Sequence, residues 1–270
     1  MPYLKSTKSP LSKRELPGWL VSKPIAHRGL HDISKGVPEN SSAAFSFAID
    51  QNLPIELDIQ LSKDGHPVIM HDASLLRTTG RSADVADLTL TEICALTLEQ
   101  TGEEVPSLRD VLQQVTGKVP LVIELKSTPF KKPDYIRALC AALNGYTGSL
   151  AVQSFDPFLM LELRRQRPEI IRGQLGFSRP PKEIRISTRF IVKSMPFLRN
   201  VQADYVAYDV AGLGTRRIRR LREQGMPLLA WTVDNMEKLD LARQQADNII
   251  FEKLPLAELS IASGEGPSIL

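Results

Sequence analysis

The sequence predicts an α/β protein built as a closed (β/α)8 TIM barrel, with a short β-hairpin excursion after the second strand. Eight apolar runs, at residues 24–26, 55–58, 119–125, 150–153, 170–175, 205–208, 228–233 and 248–251, have the length and composition of strands. Helical segments follow six of them. Repeated β-then-α units imply parallel strands, and eight such units in 270 residues favour a closed barrel over an open sheet. No Gly-x-Gly-x-x-Gly follows the first run, which argues against a dinucleotide fold.

At 42% hydrophobic and 24% charged, the chain has the composition of one globular domain with a sizeable core. Residues 23–260 are expected to form that domain, with a leader over 1–22 packing on the barrel and a flexible tail over 261–270. No run of 18 apolar residues occurs, and the N-terminal lysines lack an apolar stretch after them. Two cysteines, Cys94 and Cys140, are read as helix-packing residues and are too few for a disulfide framework. The expected compartment is the cytoplasm. The net charge of +3 conceals an asymmetry, because residues 164–222 carry fifteen Lys/Arg against four Asp/Glu, and the remainder sums to −8. Such a block suits phosphate groups, nucleic acid or an anionic membrane.

In chain order, the first run delivers His27-Arg28-Gly29 at its C-terminal end. Glu39-Asn40-Ser41-Ser42 opens an apolar helix through Ala48, and on the residues alone Glu39-Asn40 reads equally as its cap or as part of a site. Asp87–Leu98 reads as a helix. Ser107 and Asp110 form a capping-box start for another helix reaching Val115. Further helices are expected over 133–143, 157–166, 215–224 and 236–245.

The chemistry centres on residues 54–72. Ile55–Leu61 alternates as a strand, placing Glu56 and Asp58 on one face, roughly 6–7 Å apart. Asp64-Gly65 then turns the chain back antiparallel, which returns His71 toward the two acids. Other runs end in polar residues too: Glu124 and Lys126, Gln153 and Ser154, Trp231 and Asp234. Catalytic groups of such barrels gather at the C-terminal ends of the strands. Glu56, Asp58 and Glu124 can hold one hard cation, Mg²⁺ or Ca²⁺. Arg28 and Lys126 add positive charge for an anion, most simply a phosphate. His27 and His71 supply a proton acceptor and a proton donor near neutral pH.

These motifs, His27-Arg28-Gly29, Pro38-Glu39-Asn40, Glu56-Leu-Asp58, Lys63-Asp64-Gly65, His71-Asp72, Arg77-Thr78-Thr79, Glu124-Leu-Lys126, Ser154-Phe155 and Trp231-Thr232-Val233, come in the order of the glycerophosphodiester phosphodiesterase family, which the chain resembles over residues 24–255. The resemblance implies a TIM-barrel enzyme that hydrolyses deacylated phospholipids to an alcohol and glycerol 3-phosphate with Mg²⁺ or Ca²⁺. It makes Glu56, Asp58 and Glu124 the metal ligands and His27 and His71 the acid–base pair. Arg28 and Lys126 would hold the phosphate, and Glu39 would lie near the metal or the glycerol. The final run departs from the family pattern, with Asn248 where glycine is usual and Glu252 in place of the usual acid.

Other residues read more plainly. His31 is expected on a surface loop and His66 in solvent, while Trp231 either fills the barrel or walls the substrate pocket. Thr215–Arg222 reads as a solvated barrel helix. Lys182–Arg199 mixes apolar and basic residues and suits weak contact with anionic lipid. That stretch motivates a second reading, a lysophospholipase D-like enzyme at a membrane surface. A catalytically idle binding barrel is a third, opposed by the complete set of acids and histidines. Nucleic-acid binding ranks last, since the arginines lack interleaved aromatics.

Overall fold

A computed structural model describes residues 14–127, 129–180 and 185–259. Its strands are β1 (Ile25–Ala26), β2 (Ile55–Leu61), β3 (Pro67–Ile69), β4 (Leu121–Leu125), β5 (Leu150–Ser154), β6 (Ile171–Gly176), β7 (Tyr205–Asp209), β8 (Leu228–Val233) and β9 (Asn248–Phe251). All but β3 run parallel in the order β1-β9-β8-β7-β6-β5-β4-β2, and pairing of Ala26 with Ile55 closes the ring. The expected eight-stranded barrel is present. β3 is the hairpin excursion, antiparallel to β2 with Ile69 opposite Ile59.

Alternate residues along each strand serve two cores. Leu57, Ile59, Ile123 and Val152 face outward and pack against the helices, each such side chain contributing roughly 2 kcal/mol when fully buried. Ile25, Val122, Ala151, Leu175, Leu229 and Ile250 form a separate cluster inside the barrel. Leu20, from the short Trp19–Ser22 helix, packs into this inner cluster at the N-terminal end of β9, where Asn248 donates to the Leu20 and Lys23 carbonyls.

The same period of two positions the site. Two residues beyond the inner-core positions come His27, Glu124, Gln153, Phe177, Trp231 and Glu252, at or just past the C-terminal ends of their strands. In β2 the inward positions are themselves acidic, Glu56 and Asp58.

The helix boundaries agree closely with expectation at Pro157–Gln166 and Met236–Gln245. Ser107 accepts from the Asp110 amide in a full capping box that starts the Leu108–Val115 helix. The Arg216–Glu223 helix buries Ile218 and Leu221, as the periodicity predicts. The segment expected as one helix over 87–98 is instead a 3-10 turn, Val85–Asp87, and a short helix, Leu90–Cys94. A second capping box, Thr89 with Glu92, starts that helix late. The Leu96 carbonyl then accepts from the Val105 amide, and the Leu96 side chain packs against the small core that Val105 shares. Val68, Leu75, Val85, Ile93 and Val105 make this excursion a small core of its own. The leader before Arg14 and the tail after Leu259 lie outside the described residues.

Candidate active site

One carboxylate oxygen each from Glu56, Asp58 and Glu124 lies within 4.8 Å of the others, at the bottom of the C-terminal mouth. β2 and β4 pair in register, with Asp58 beside Glu124, so backbone geometry alone brings these acids together. All three are buried. Two fixed cations answer them. Lys126 Nζ lies 2.7 Å from Glu124 and 3.0 Å from Asp58, and Arg28 Nε lies 3.3 Å from Asp58.

Three buried acids against two cations leave one negative charge uncompensated. Burial raises Glu56 well above the usual carboxylate range, and the neighbouring Asp58 and Glu124 raise it further. Burial also pushes Asp58 up, but Lys126, His71 and Arg28 outweigh it and hold Asp58 well below its ordinary value. A divalent ion fits this donor set. It takes oxygen ligands at about 2.0–2.6 Å, which places them within about 5 Å of one another, and it supplies the missing positive charge.

Two histidines flank the acids, and each is held by a carboxylate. His27 Nδ1 is 2.7 Å from Glu252 Oε2, and His71 Nδ1 is 2.5 Å from Asp72 Oδ1. A neutral imidazole that donates from Nδ1 leaves Nε2 as its acceptor, so Nε2 is the basic nitrogen of each neutral ring. Burial is the largest influence on both and lowers their basicity. Gln60 sets the position of His71 by donating to the carbonyls of His71 and Asp72.

The model of the glycerophosphoryl diester phosphodiesterase family matches residues 27–253. A glycerophosphodiester phosphodiesterase of Caldanaerobacter subterraneus subsp. tengcongensis is 32% identical over 238 residues, covering 84% of this chain and 92% of that protein. The chain belongs to the glycerophosphodiester phosphodiesterase family. A putative glycerophosphodiester phosphodiesterase of Bacillus subtilis is also 32% identical, over 224 residues, or 79% of this chain and 86% of that one. Among solved structures, an Oleispira antarctica phosphodiesterase in complex with the product sn-glycerol-3-phosphate matches with a TM-score of 0.72 at 24% identity. It covers 86% of this chain and 93% of that one. At this identity the likeness speaks for the fold.

In this member of the glycerophosphodiester phosphodiesterase family, His27, Arg28, Glu39, Glu56, Asp58, His71, Glu124 and Lys126 come together around the acid cluster, while the contacts of Trp231 are with aromatic neighbours. Arg28 and Lys126 contact the acid cluster directly. Glu39 forms a bridge, its Oε1 accepting from Arg28 at 2.9 Å and from Arg77 at 2.7 Å. Glu39-Asn40 is not the helix cap. Ser41 caps the Ser42–Asp50 helix, while Asn40 adopts φ 56° and donates to Asp58 at 2.9 Å. Its αL backbone, favourable for Asn, turns the side chain inward. His31 is not a surface histidine; its side chain is 11% exposed and its Nε2 lies 3.4 Å from Glu252. His66 is exposed, as expected. Trp231 meets Phe155 and Phe177 edge-on at 5.5 and 4.7 Å, while those two rings stack on each other.

The residues that sequence reasoning left out of the site are His31, Asn40, Gln60, Asp72, Arg77 and Glu252. Gln60 was legible by parity, as the next inward position after Glu56 and Asp58. Asp72 and Arg77 depend on how the excursion folds back, which strand periodicity does not report.

Proposed function

We propose that this enzyme hydrolyses small glycerophosphodiesters to an alcohol and glycerol 3-phosphate, with Mg²⁺ or Ca²⁺ held by Glu56, Asp58 and Glu124. The observation that carries the reading is the pair of Nδ1-anchored histidines on either side of a buried three-acid cluster. A bound divalent ion would neutralise charge on the phosphoryl oxygens and polarise the phosphorus. Arg28 and Lys126, already at the cluster, would hold the remaining phosphate oxygens. One histidine takes the proton of the glycerol hydroxyl next to the phosphate at its Nε2, the nitrogen left basic by the Nδ1–carboxylate contact. The other, protonated, gives its proton to the departing alcohol oxygen. Attack by the neighbouring hydroxyl is effectively intramolecular, and water then opens the cyclic phosphate. Trp231, with Phe155 and Phe177, would wall the substrate. The space of about 230 Å³ beside His71, Lys126 and Phe155 suits a group the size of glycerol.

The test is glycerol 3-phosphate release from glycerophosphocholine and glycerophosphoethanolamine with Mg²⁺, with Ca²⁺ and with a chelator. Release that the chelator abolishes supports the reading; metal-independent release removes the metal's role. A diester without the neighbouring hydroxyl should turn over far more slowly.

A second reading adds contact with an anionic membrane. It is supported by the Ile186–Ser194 helix, whose Ile186 and Phe190 are 82% and 65% exposed one turn apart. Arg185, Arg189, Lys193 and Arg199 flank them, with no acidic residue between 185 and 203. Among the described residues, no helix is long and apolar enough to cross a membrane. A reducing, cytoplasmic setting is the proposed location, in keeping with free Cys94 and Cys140.

A further inference from the structure

A second group of potential ligands stands beside the acid cluster. One donor atom each from His27, His31 and Glu252 lies within 4.8 Å of the others. Both rings turn to the same carboxylate oxygen, with His27 Nδ1 2.7 Å and His31 Nε2 3.4 Å from Glu252 Oε2. The second contact is longer than a good hydrogen bond, and His31 Nε2 is buried with no other partner among the described residues. Paired backbone holds all three donors in place. The His27 amide donates to Phe251 and the Glu252 amide to Val233, while the Leu30 and Asp32 amides tie the loop on either side of His31 to Ala44 and Val37. His31 and Lys253 also line a groove of about 840 Å³, which gives a small ion a way in.

We propose that His27, His31 and Glu252 form a binding site for a second metal, a zinc-class ion that inhibits the enzyme. Its donors differ in kind from those of the acid cluster. Three carboxylates suit a hard ion such as Mg²⁺ or Ca²⁺. Two imidazoles and a carboxylate suit Zn²⁺, bound at about 2.0–2.2 Å with one position left open. The ligands of such a tetrahedral ion stand roughly 3.3 Å apart, so the His27–Glu252 contact has to open only slightly. Charge does not forbid binding. Glu252 supplies one negative charge, and Arg28 is already balanced by Glu39 and Asp58. Lys253, 3.1 Å from Glu252 Oε1, is largely exposed and can swing into solvent.

The inhibition rests on the phosphodiesterase reading; the site itself does not. In the metal-free ring Nδ1 carries the proton and Nε2 is basic. Zn²⁺ on Nδ1 displaces that proton, and Nε2 takes one from solvent, so a neutral ring loses none overall. His27 then presents an N–H where a proton acceptor is needed. Tied to the ion, it also cannot become the imidazolium that gives a proton to a departing alcohol. Either role of His27 is lost.

The test titrates the full 270-residue chain with Zn²⁺ by calorimetry in excess Mg²⁺, and records X-ray absorption at the zinc edge on the loaded sample. The expected result is one Zn²⁺ that Mg²⁺ does not displace, with the scattering of two imidazoles. His31→Ala and the bulkier His31→Gln should each weaken binding by at least roughly 100-fold, since even a residue behind a ligand is worth about 10–100-fold. Glu124→Gln, which damages the acid cluster, should leave zinc affinity unchanged. No bound zinc, zinc that Mg²⁺ displaces, zinc without imidazole scattering, or zinc held equally by both His31 variants overturns the site. With glycerophosphocholine as substrate, saturating Zn²⁺ should cut the Mg²⁺-supported rate at least roughly 100-fold. In His31→Ala the inhibition should move to higher Zn²⁺ by the same factor as binding. Zinc held at the site with an unchanged rate overturns the inhibition. If no diester turns over with Mg²⁺ alone, the phosphodiesterase reading and the inhibition both fall, while the binding data still decide the site.

Discussion

Glu252 Oε2 accepts the Nδ1–H of His27 at 2.7 Å, joining the residue just past the last barrel strand to the one just past the first. The pairing follows from β1 lying beside β9, which places both inward-facing positions at the same height on the rim. Hydrogen bonds from His27 and His31 keep the Glu252 carboxyl well below the usual range, so it is a permanent anion at working pH. In the proposed mechanism Glu252 would reach the substrate only through His27, as a positioning residue.

Replacing Glu252 with Gln should lower kcat by roughly 10²-fold with KM little changed, because the imidazole loses its fixed tautomer and its support as an imidazolium. The ring ¹⁵N shifts of His27 should show mixed Nδ1–H and Nε2–H forms in the variant. An unchanged tautomer with lost activity would point to a purely structural role.

Glu56→Gln should abolish metal-dependent turnover yet stabilise the metal-free protein at alkaline pH. A carboxyl whose folded value is raised contributes stability that is present below its unfolded value of about 4.3 and lost as pH rises through the folded one. At pH 8 the metal-free wild type therefore carries a penalty that glutamine removes. The expected rise in Tm is about 2–4 °C per kcal/mol. Denaturation scans in chelator at pH 5 and pH 8 check it; a variant less stable at pH 8 refutes it.

Metal binding should strengthen as pH rises, since Glu56 must lose its proton to become a ligand. Calorimetry in two buffers of different ionisation enthalpy should register proton release on Mg²⁺ or Ca²⁺ binding. Saturating metal at about 100 times Kd should add about 2.7 kcal/mol of stability.

Gly29→Ala should destabilise the fold and distort the site together. Gly29 has φ +78°, and an added Cβ would lie 2.9 Å from the backbone carbon and Cβ of Ala44. A loss of roughly 1–3 kcal/mol is expected from the left-handed backbone and the overlap. Because Arg28 and His27 precede this turn, activity should fall further than stability alone explains.

Ile186→Ser with Phe190→Ser should remove co-sedimentation with phosphatidylglycerol vesicles while leaving glycerophosphocholine hydrolysis intact. Wild-type binding should weaken with added salt, as screening shortens the reach of the flanking arginines and lysine. Binding that is indifferent to both the substitutions and salt would place the membrane contact elsewhere.

The barrel was legible in the sequence because strand and helix periods are local properties. Eight apolar runs with intervening helices, the Ser107 capping box and the Asp64-Gly65 turn each depend on neighbouring residues only. The acids Glu56, Asp58 and Glu124 were legible for a related reason, since a period of two fixes which face they share and the parallel register brings the strands side by side. The helix expected over 87–98 failed because the Thr89–Glu92 cap and the pairing of Leu96 with Val105 override a weak helical pattern.

By itself, then, the sequence determined the barrel, its rim of acids and histidines, and the family to which they belong. Only the tertiary structure decided which partners those residues have. Glu252 reaches His27 because the ring closes, and His31 leaves the surface because its loop folds over that pair. Arg77 reaches Glu39 and Asp72 because the hairpin excursion packs back on the mouth. Ile33, Phe47 and Leu256 come from three distant segments and share one groove. Apart from the Arg77–Asp72 pair, these placements join residues well separated in the chain, and no local period encodes them.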